Sequence, residues 1–282
     1  MNDIMFRSWR PAQNHNLSVA GSSEHINYYL SFGYDHQESI WKENPDKLSK
    51  YNVNANISSD ITKWLQVGAR FQYNRKDYDT PALRQDSWAY MWRWGSTLIP
   101  YGYAVANDGQ AYDFRNAIAY RKQAGNENYL NQYTRMNAFM VLRPFKGFSI
   151  NADFTYNIEN SSADIANLPA TGYGWGKLGL NENNTPIAPS YGNFNNQASS
   201  YVVAASGRAE SYAFNAHVDY DAMVNNAHHF HAMAGANVEE YEFRRHYSEF
   251  KGLLDPTLPE FTMATGDQFV NGNSYSSLKP AH

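Results

Sequence analysis

The sequence predicts an all-β protein, an antiparallel segment of a transmembrane β-barrel, and three observations predict it. Hydrophobicity recurs with period two along most of the chain. Aromatic residues make up 16% of the 282 positions, with 22 Tyr, 15 Phe and 7 Trp, yet the mean hydropathy is only -0.65. Short and long links alternate between the strand-like stretches. A wall with one face on lipid and the other on water reconciles the first two observations, because aromatics gather at the membrane interfaces while the wet face stays polar.

The elements follow in order. A short strand is expected over residues 14–21. Over 26–35, Ile26, Tyr28, Leu30, Phe32 and Tyr34 alternate with Asn27, Ser31, Gly33 and Asp35, the pattern of a half-buried strand. The same pattern predicts strands over 49–59 (Tyr51, Val53, Ala55, Ile57) and 64–75 (Leu65, Val67, Ala69, Phe71, Tyr73). A less regular strand covers 133–143. Phe148, Ile150, Ala152, Phe154, Tyr156 and Ile158 mark one over 147–159. Tyr212 to Tyr220 mark another over 210–222, and Phe230 to Val238 the last, over 228–242. The total is about eight.

The opposite positions are almost wholly Asn, Gln, Ser, Asp, Glu, His and Gly. A charge facing lipid at mid-bilayer costs about 2–4 kcal/mol, which would clear one face of charge and leave the other free. The links carry independent information. Ser22–His25, Ser59–Trp64, Arg143–Gly147 and Ala222–Ala227 are short; Asp35–Ser49, Arg75–Tyr133, Asn160–Glu210 and everything after Glu242 are long. Tight turns at one end and extended loops at the other characterise outer-membrane barrels.

Composition excludes several classes. A formal charge of -4 argues against a nucleic-acid partner. With no cysteine there is no disulfide framework and no Cys-based zinc site or nucleophile. No stretch approaches the roughly 20 apolar residues of a membrane-spanning helix; the longest run is Ala138–Leu142. Met1–Arg7 lacks the basic and apolar pattern of a signal peptide.

Candidate sites are few. Trp88, Tyr90, Trp92 and Trp94 lie in the long link after Arg75. Their rings could stack on sugars or peptide side chains, or simply pack the loop. His229 and His231 share a strand face beside His228 and invite a metal reading, but no third paired ligand is evident, so polar filling is expected and no metal or other cofactor is assigned. Asp219 and Asp221 also share a face, ordinary for a wet wall; without a nucleophile motif no catalytic role is expected. Asn107-Asp108-Gly109 reads as a turn. Gly172-Tyr173-Gly174-Trp175-Gly176 lacks the Lys and helix of a phosphate loop.

Several segments resemble the SusC/RagA-like family of TonB-dependent transporters. Gln13–Gly21, Asn27–Tyr34 with Gln37-Glu38, and Lys50–Asn56 followed by Thr62–Gly68 are similar to the start of that barrel and its next hairpin. Pro100-Tyr101 with Asn107–Gln110 resembles the following external loop, and His228–Glu240 with Leu254–Glu260 a later strand and loop. The resemblance implies a barrel of about 22 strands in the outer membrane of a Gram-negative, Bacteroidetes-like cell. It implies import of an oligosaccharide or peptide, a SusD-like lipoprotein partner, and a TonB complex acting through an N-terminal part. Residues 1–282 are then expected to be a partial barrel, with signal peptide, plug and C-terminal strands lying elsewhere. The alternative is a soluble all-β carbohydrate-binding or glycan-degrading module, which predicts two apolar inner faces packed together. A small complete barrel with a structural or adhesive role predicts a signal peptide and a final strand ending in an aromatic.

Overall fold

The computed structural model describes residues 5–82, 103–105, 111–113, 117–173, 191–195, 199–225 and 227–280. In order, the elements are β1 (Ala12–Ser22), β2 (Ile26–Glu38), β3 (Lys47–Thr62), β4 (Leu65–Pro81), β5 (Tyr103–Val105), β6 (Ala111–Asp113), α1 (Ala117–Gln123), β7 (Asn126–Phe145), β8 (Phe148–Asn167), β9 (Ala170–Tyr173), β10 (Tyr191–Asn195), β11 (Tyr201–Val224), β12 (His228–Lys251) and β13 (Gln268–Pro280). Nine of these strands form one antiparallel sheet in the order β1-β2-β3-β4-β7-β8-β11-β12-β13. Each strand therefore pairs with its neighbour in this succession, a meander that leaves β1 and β13 at the edges. The pairs β5–β6 and β9–β10 form two small two-stranded sheets apart from it.

Register fixes the face of every strand from that of any one, because side chains alternate strictly across a pleat. One rung runs Gly21–Tyr28–Ile57–Ala69–Ala138–Phe154–Phe214–Val238. Another runs Val19–Leu30–Ala55–Phe71–Met136–Tyr156–Tyr212. The apolar sets read strand by strand thus fall on one common face, by hydrogen-bond pairing that knows nothing of hydropathy. That face is open: Phe154 is 46% exposed, Phe214 49% and Phe230 60%. The other face holds buried polar side chains, Asn137 and Thr155 among them. The pattern is inverted relative to a water-soluble sheet. A soluble module would need a second layer over the apolar face, and the described residues form no such layer.

Tyr34, Tyr51, Tyr73, Tyr156 and Tyr212 limit the apolar band toward the long links, and Trp64, Phe148, Tyr220 and Phe230 toward the short turns. Phe148–Tyr156 and Tyr212–Tyr220 each cover nine residues. At about 3.3 Å per residue that is roughly 30 Å, the scale of an apolar band about 25 Å tall crossed by tilted strands. The tilt is legible in the register. Tyr34 and Tyr51 share a rung with Arg75, Arg208 and Arg244, whereas on β11 and β12 the apolar run stops nearer the turns, at Tyr212 and Val238.

The short turns are tied into a rim. Asp60 N–H donates to His25 O (2.8 Å), Arg143 N–H to Trp64 O (2.7 Å) and Asp221 N–H to Gly147 O (2.7 Å). Gly147 has φ 83°, a left-handed residue that the β7–β8 turn requires. At the opposite end the strands run past the membrane band: β11 and β12 are 24 residues each, against the roughly 9–11 needed to cross.

Here the sequence expectation is extended. The structure carries β7 back to Asn126, β8 on to Asn167, β11 back to Tyr201 and β12 on to Lys251, and adds β13 where a long link was expected. Beyond the bilayer both faces meet water, so the ladder continues after the period-two signal has faded. β13 pairs with Val238–Phe250, almost wholly in that zone.

Buried apolar residues collect at the long-link end. Met5, Trp41 and Ile118 form one cluster, with Phe6 against it. Arg121 lies over Trp41, 4.3 Å from the ring centroid. Its guanidinium donates to Asp46 Oδ2 (2.8 Å) and Asn44 O (2.9 Å), and Thr80 donates to Asp46 Oδ1 (2.6 Å). Helix α1 is pinned in this way to the β2–β3 loop, and the Ala82 N–H bond to Gly125 O (2.9 Å) closes the base of the β4–β7 link.

Candidate ligand-contact surface on the polar face

The polar face is built from side chains too short to reach far, placed where adjacent strands bring them together. Arg70 on β4 donates to Asn137 Oδ1 on β7 (3.4 Å). Asn137 donates in turn to Asp153 Oδ2 (3.2 Å) and Thr155 Oγ1 (2.9 Å) on β8. Asn215 on β11 donates to Asp153 from the other side (3.2 Å), and Asn237 on β12 donates to Asn215. A continuous network therefore crosses five strands. Burial of Asn137 and Thr155 is tolerable because their polar atoms are paired. Phe139 lies over Gly68, where any side chain would meet its ring, and Arg70 caps that ring at 4.5 Å.

Toward the short turns the face carries His and Asp. Asp219 accepts from Asn151 (2.9 Å) and Ser149 (3.4 Å) and faces His217 (3.4 Å). Asp221 Oδ1 lies 3.2 Å from His229 Nε2 and 3.1 Å from His231 Nδ1. The two carboxylates thus have separate partners. His228 alternates to the opposite face from His229 and His231. Among the described residues no group of three or more His, Asp or Glu is arranged to hold a metal ion.

Toward the long links the same face opens into a groove. One rung sets Asn131, Ser161, Gly207 and Arg245 side by side, and the next Tyr129, Ala163, Ala205 and Tyr247. Both place small residues on β8 and β11 and large ones on β7 and β12. The result is a cavity of about 330 Å³ lined by Tyr129, Asn131, Ser161, Ala163, Ala205, Gly207, Phe243 and Arg245. Its floor is tight: a Cβ on Gly207 would come 2.7 Å from Ser161 Oγ. Burial and a hydrogen bond to Glu249 push the Tyr247 phenol up to about 12, so it is neutral throughout the physiological range. Apolar rings, amide and hydroxyl groups and one guanidinium suit a ligand with flat apolar surfaces and polar edges.

Sequence reasoning missed this groove. Its signal is the run Val203, Ala205, Gly207, Ala209, small at every second position, inside a stretch that reads as a long link. The expected contacts Trp88, Tyr90, Trp92 and Trp94 lie outside the described residues, as does Asn107-Asp108-Gly109, which falls between the paired strands β5 and β6.

No established family profile matches the chain. A TonB-dependent receptor, P26, of Formosa agariphila is 24% identical over 169 residues, covering 54% of this chain and 15% of that protein. Solved structures of the RagAB peptide importer resemble the fold. The closed-closed state gives a TM-score of 0.68 at 18% identity, over 98% of this chain and 30% of the matched chain. The open-open state gives 0.67 over the same shares. The chain therefore spans about a third of the structures it matches, and a smaller part of the curated relative.

Proposed function

We propose that this chain, a segment of a SusC/RagA-like TonB-dependent transporter, forms wall and outer mouth of a barrel that imports an oligosaccharide or a peptide. The single observation that carries the reading is the inverted sheet: an exposed apolar face, free of charge between its aromatic limits, backed by a hydrogen-bonded polar face. Only a wall between lipid and an aqueous lumen calls for both at once.

In this reading the long links face outside the cell, where a SusD-like lipoprotein docks over them, and a TonB complex acts through another part of the protein. The groove beside Phe243 and Arg245 contacts the ligand on its way inward, with Trp88, Tyr90, Trp92 and Trp94 as further contacts from the β4–β7 link. The likeness to a peptide importer and to a TonB-dependent receptor supports the class of activity.

The test is uptake of labelled oligosaccharide and peptide pools by cells carrying the full-length transporter. Gly207→Phe, which fills the groove, should lower uptake about tenfold or more with barrel assembly intact. Uptake independent of TonB, or full uptake by both the filled-groove variant and one lacking the four loop aromatics, overturns the reading.

A further inference from the structure

The apolar face carries a second feature, just beyond the aromatic limit toward the long links. Arg75, Gln132, Asn160, Arg208 and Arg244 share one rung of that face on adjacent strands. On the next same-face rung stand Ser162, Ser206 and His246. All of these but Arg75 line a cavity of about 400 Å³ whose wall holds Arg208, Arg244, His246, Gln132 and Asn160, and no carboxylate. Two carboxylates border it on the membrane side. Arg208 reaches Glu210 Oε1 through Nε (2.9 Å) and Nη2, and Arg244 reaches Glu242 Oε1 through Nε (2.7 Å) and Nη2 (2.5 Å). A guanidinium has five N–H donors, so these bonds hold each arginine in place and leave further donors on it.

Below, on the same β7 and β8, lies an apolar trough of about 700 Å³. Ala55, Ala69 and Ala138 give its floor, and Met136, Phe154 and Tyr156 its side nearest the donor cavity. The two stand in line along β7 and β8, with Thr134 and Ile158 on the same-face rung between them, so a donor-rich cavity at the interface and a trough in the lipid band match the two ends of one molecule.

We propose that these features bind a single membrane lipid, its phosphate among Arg208, Arg244 and Gln132 and an acyl chain in the alanine-floored trough. Arginine is the side chain best matched to phosphate, through paired N–H donors. Near the apolar boundary the anion meets a cation at reduced dielectric. The proposal rests on the apolar face meeting lipid.

The full-length transporter, purified in uncharged detergent, should be tested by native mass spectrometry with phosphatidic acid and with diacylglycerol of the same acyl chains. The expected result is about tenfold preference for phosphatidic acid, the scale of one charge-assisted contact. Arg208→Gln with Arg244→Gln should abolish that preference, and Ala138→Trp should weaken retention of both lipids. Variants are compared only where heat-modifiable gel migration matches the parent, and Arg208→Lys with Arg244→Lys should keep part of the preference. Equal retention of the two lipids overturns the proposal and leaves the lipid-facing wall standing. Preference surviving in the double Gln variant also overturns it, as does inorganic phosphate binding as tightly as phosphatidic acid. Retention of neither lipid sinks the lipid-facing reading along with the proposal.

Discussion

The strands between the two aromatic limits and the cluster above them at the long-link end are held together by opposite means. In the wall, the large apolar side chains are exposed and polar groups such as Asn137 are buried and paired. In the cluster, Trp41 and Ile118 are buried around a charged group, Arg121, with its side chain fully enclosed. The wall uses a solvent that accepts its apolar surface, so stability comes from the ladder and from keeping charge off one face. The cluster stands in water and must make its own interior. One continuous sheet passes from one regime to the other, and only the surroundings of its side chains change.

The sharpest way to break the comparison is at Arg121. Arg121→Met leaves Asp46 without its buried cation and is expected to destabilise the cluster by about 3–5 kcal/mol. Hydrogen exchange should speed up in α1 and in residues 39–46, with the β8–β11 ladder unchanged. Exchange rising equally in both would mean that the two regions are one cooperative unit. Next in size, Phe214→Arg puts a charge on the lipid face and should cost about 2–4 kcal/mol. Ala213→Arg, one residue back and on the polar face, should cost less than about 1 kcal/mol. Unfolding of the full-length protein in detergent and urea reads the pair, and equal losses would contradict the assignment of faces.

Asn137→Ala should cost about 1–3 kcal/mol, because it removes donors from Asp153 and Thr155 inside the polar network; the same unfolding assay measures it. The smallest effect concerns pH. The Arg7 guanidinium holds the Glu38 carboxyl below the usual carboxylate range. A depressed carboxyl contributes stability that is present at neutral pH and lost as pH falls through the lowered value. Exchange in residues 5–11 should therefore stay slow until the pH has fallen below the ordinary carboxylate range, and Glu38→Gln should make it insensitive to pH.

Much of the fold was legible because the membrane imposes a rule on sequence. Ile26 to Tyr34 and Phe148 to Ile158 alternate without a charge on the apolar side, since each position on that side meets hydrocarbon. Where strands leave the bilayer the rule lapses. Arg244 and His246 continue the apolar parity of Phe230 to Val238 with polar residues, so the last third of β12 and all of β13 carried no readable pattern. The groove was illegible for a different reason. Gly207 and Ser161 matter only because Arg245 and Asn131 flank them in register, and pairing between strands so far apart in sequence is not written in any local window.

By itself, then, the sequence determined which residues could face lipid, how many crossings the middle of the chain makes, and which links are tight. These follow from side-chain hydropathy and local turn chemistry, both local quantities. Tertiary structure decided the register that aligns the apolar rungs and the continuation of the strands beyond the membrane. It also decided the enclosure of Arg121 between α1 and the β2–β3 loop, and the cavities on either face. Each of these depends on which distant residues stand side by side, which hydrogen-bond pairing settles only when the strands come together.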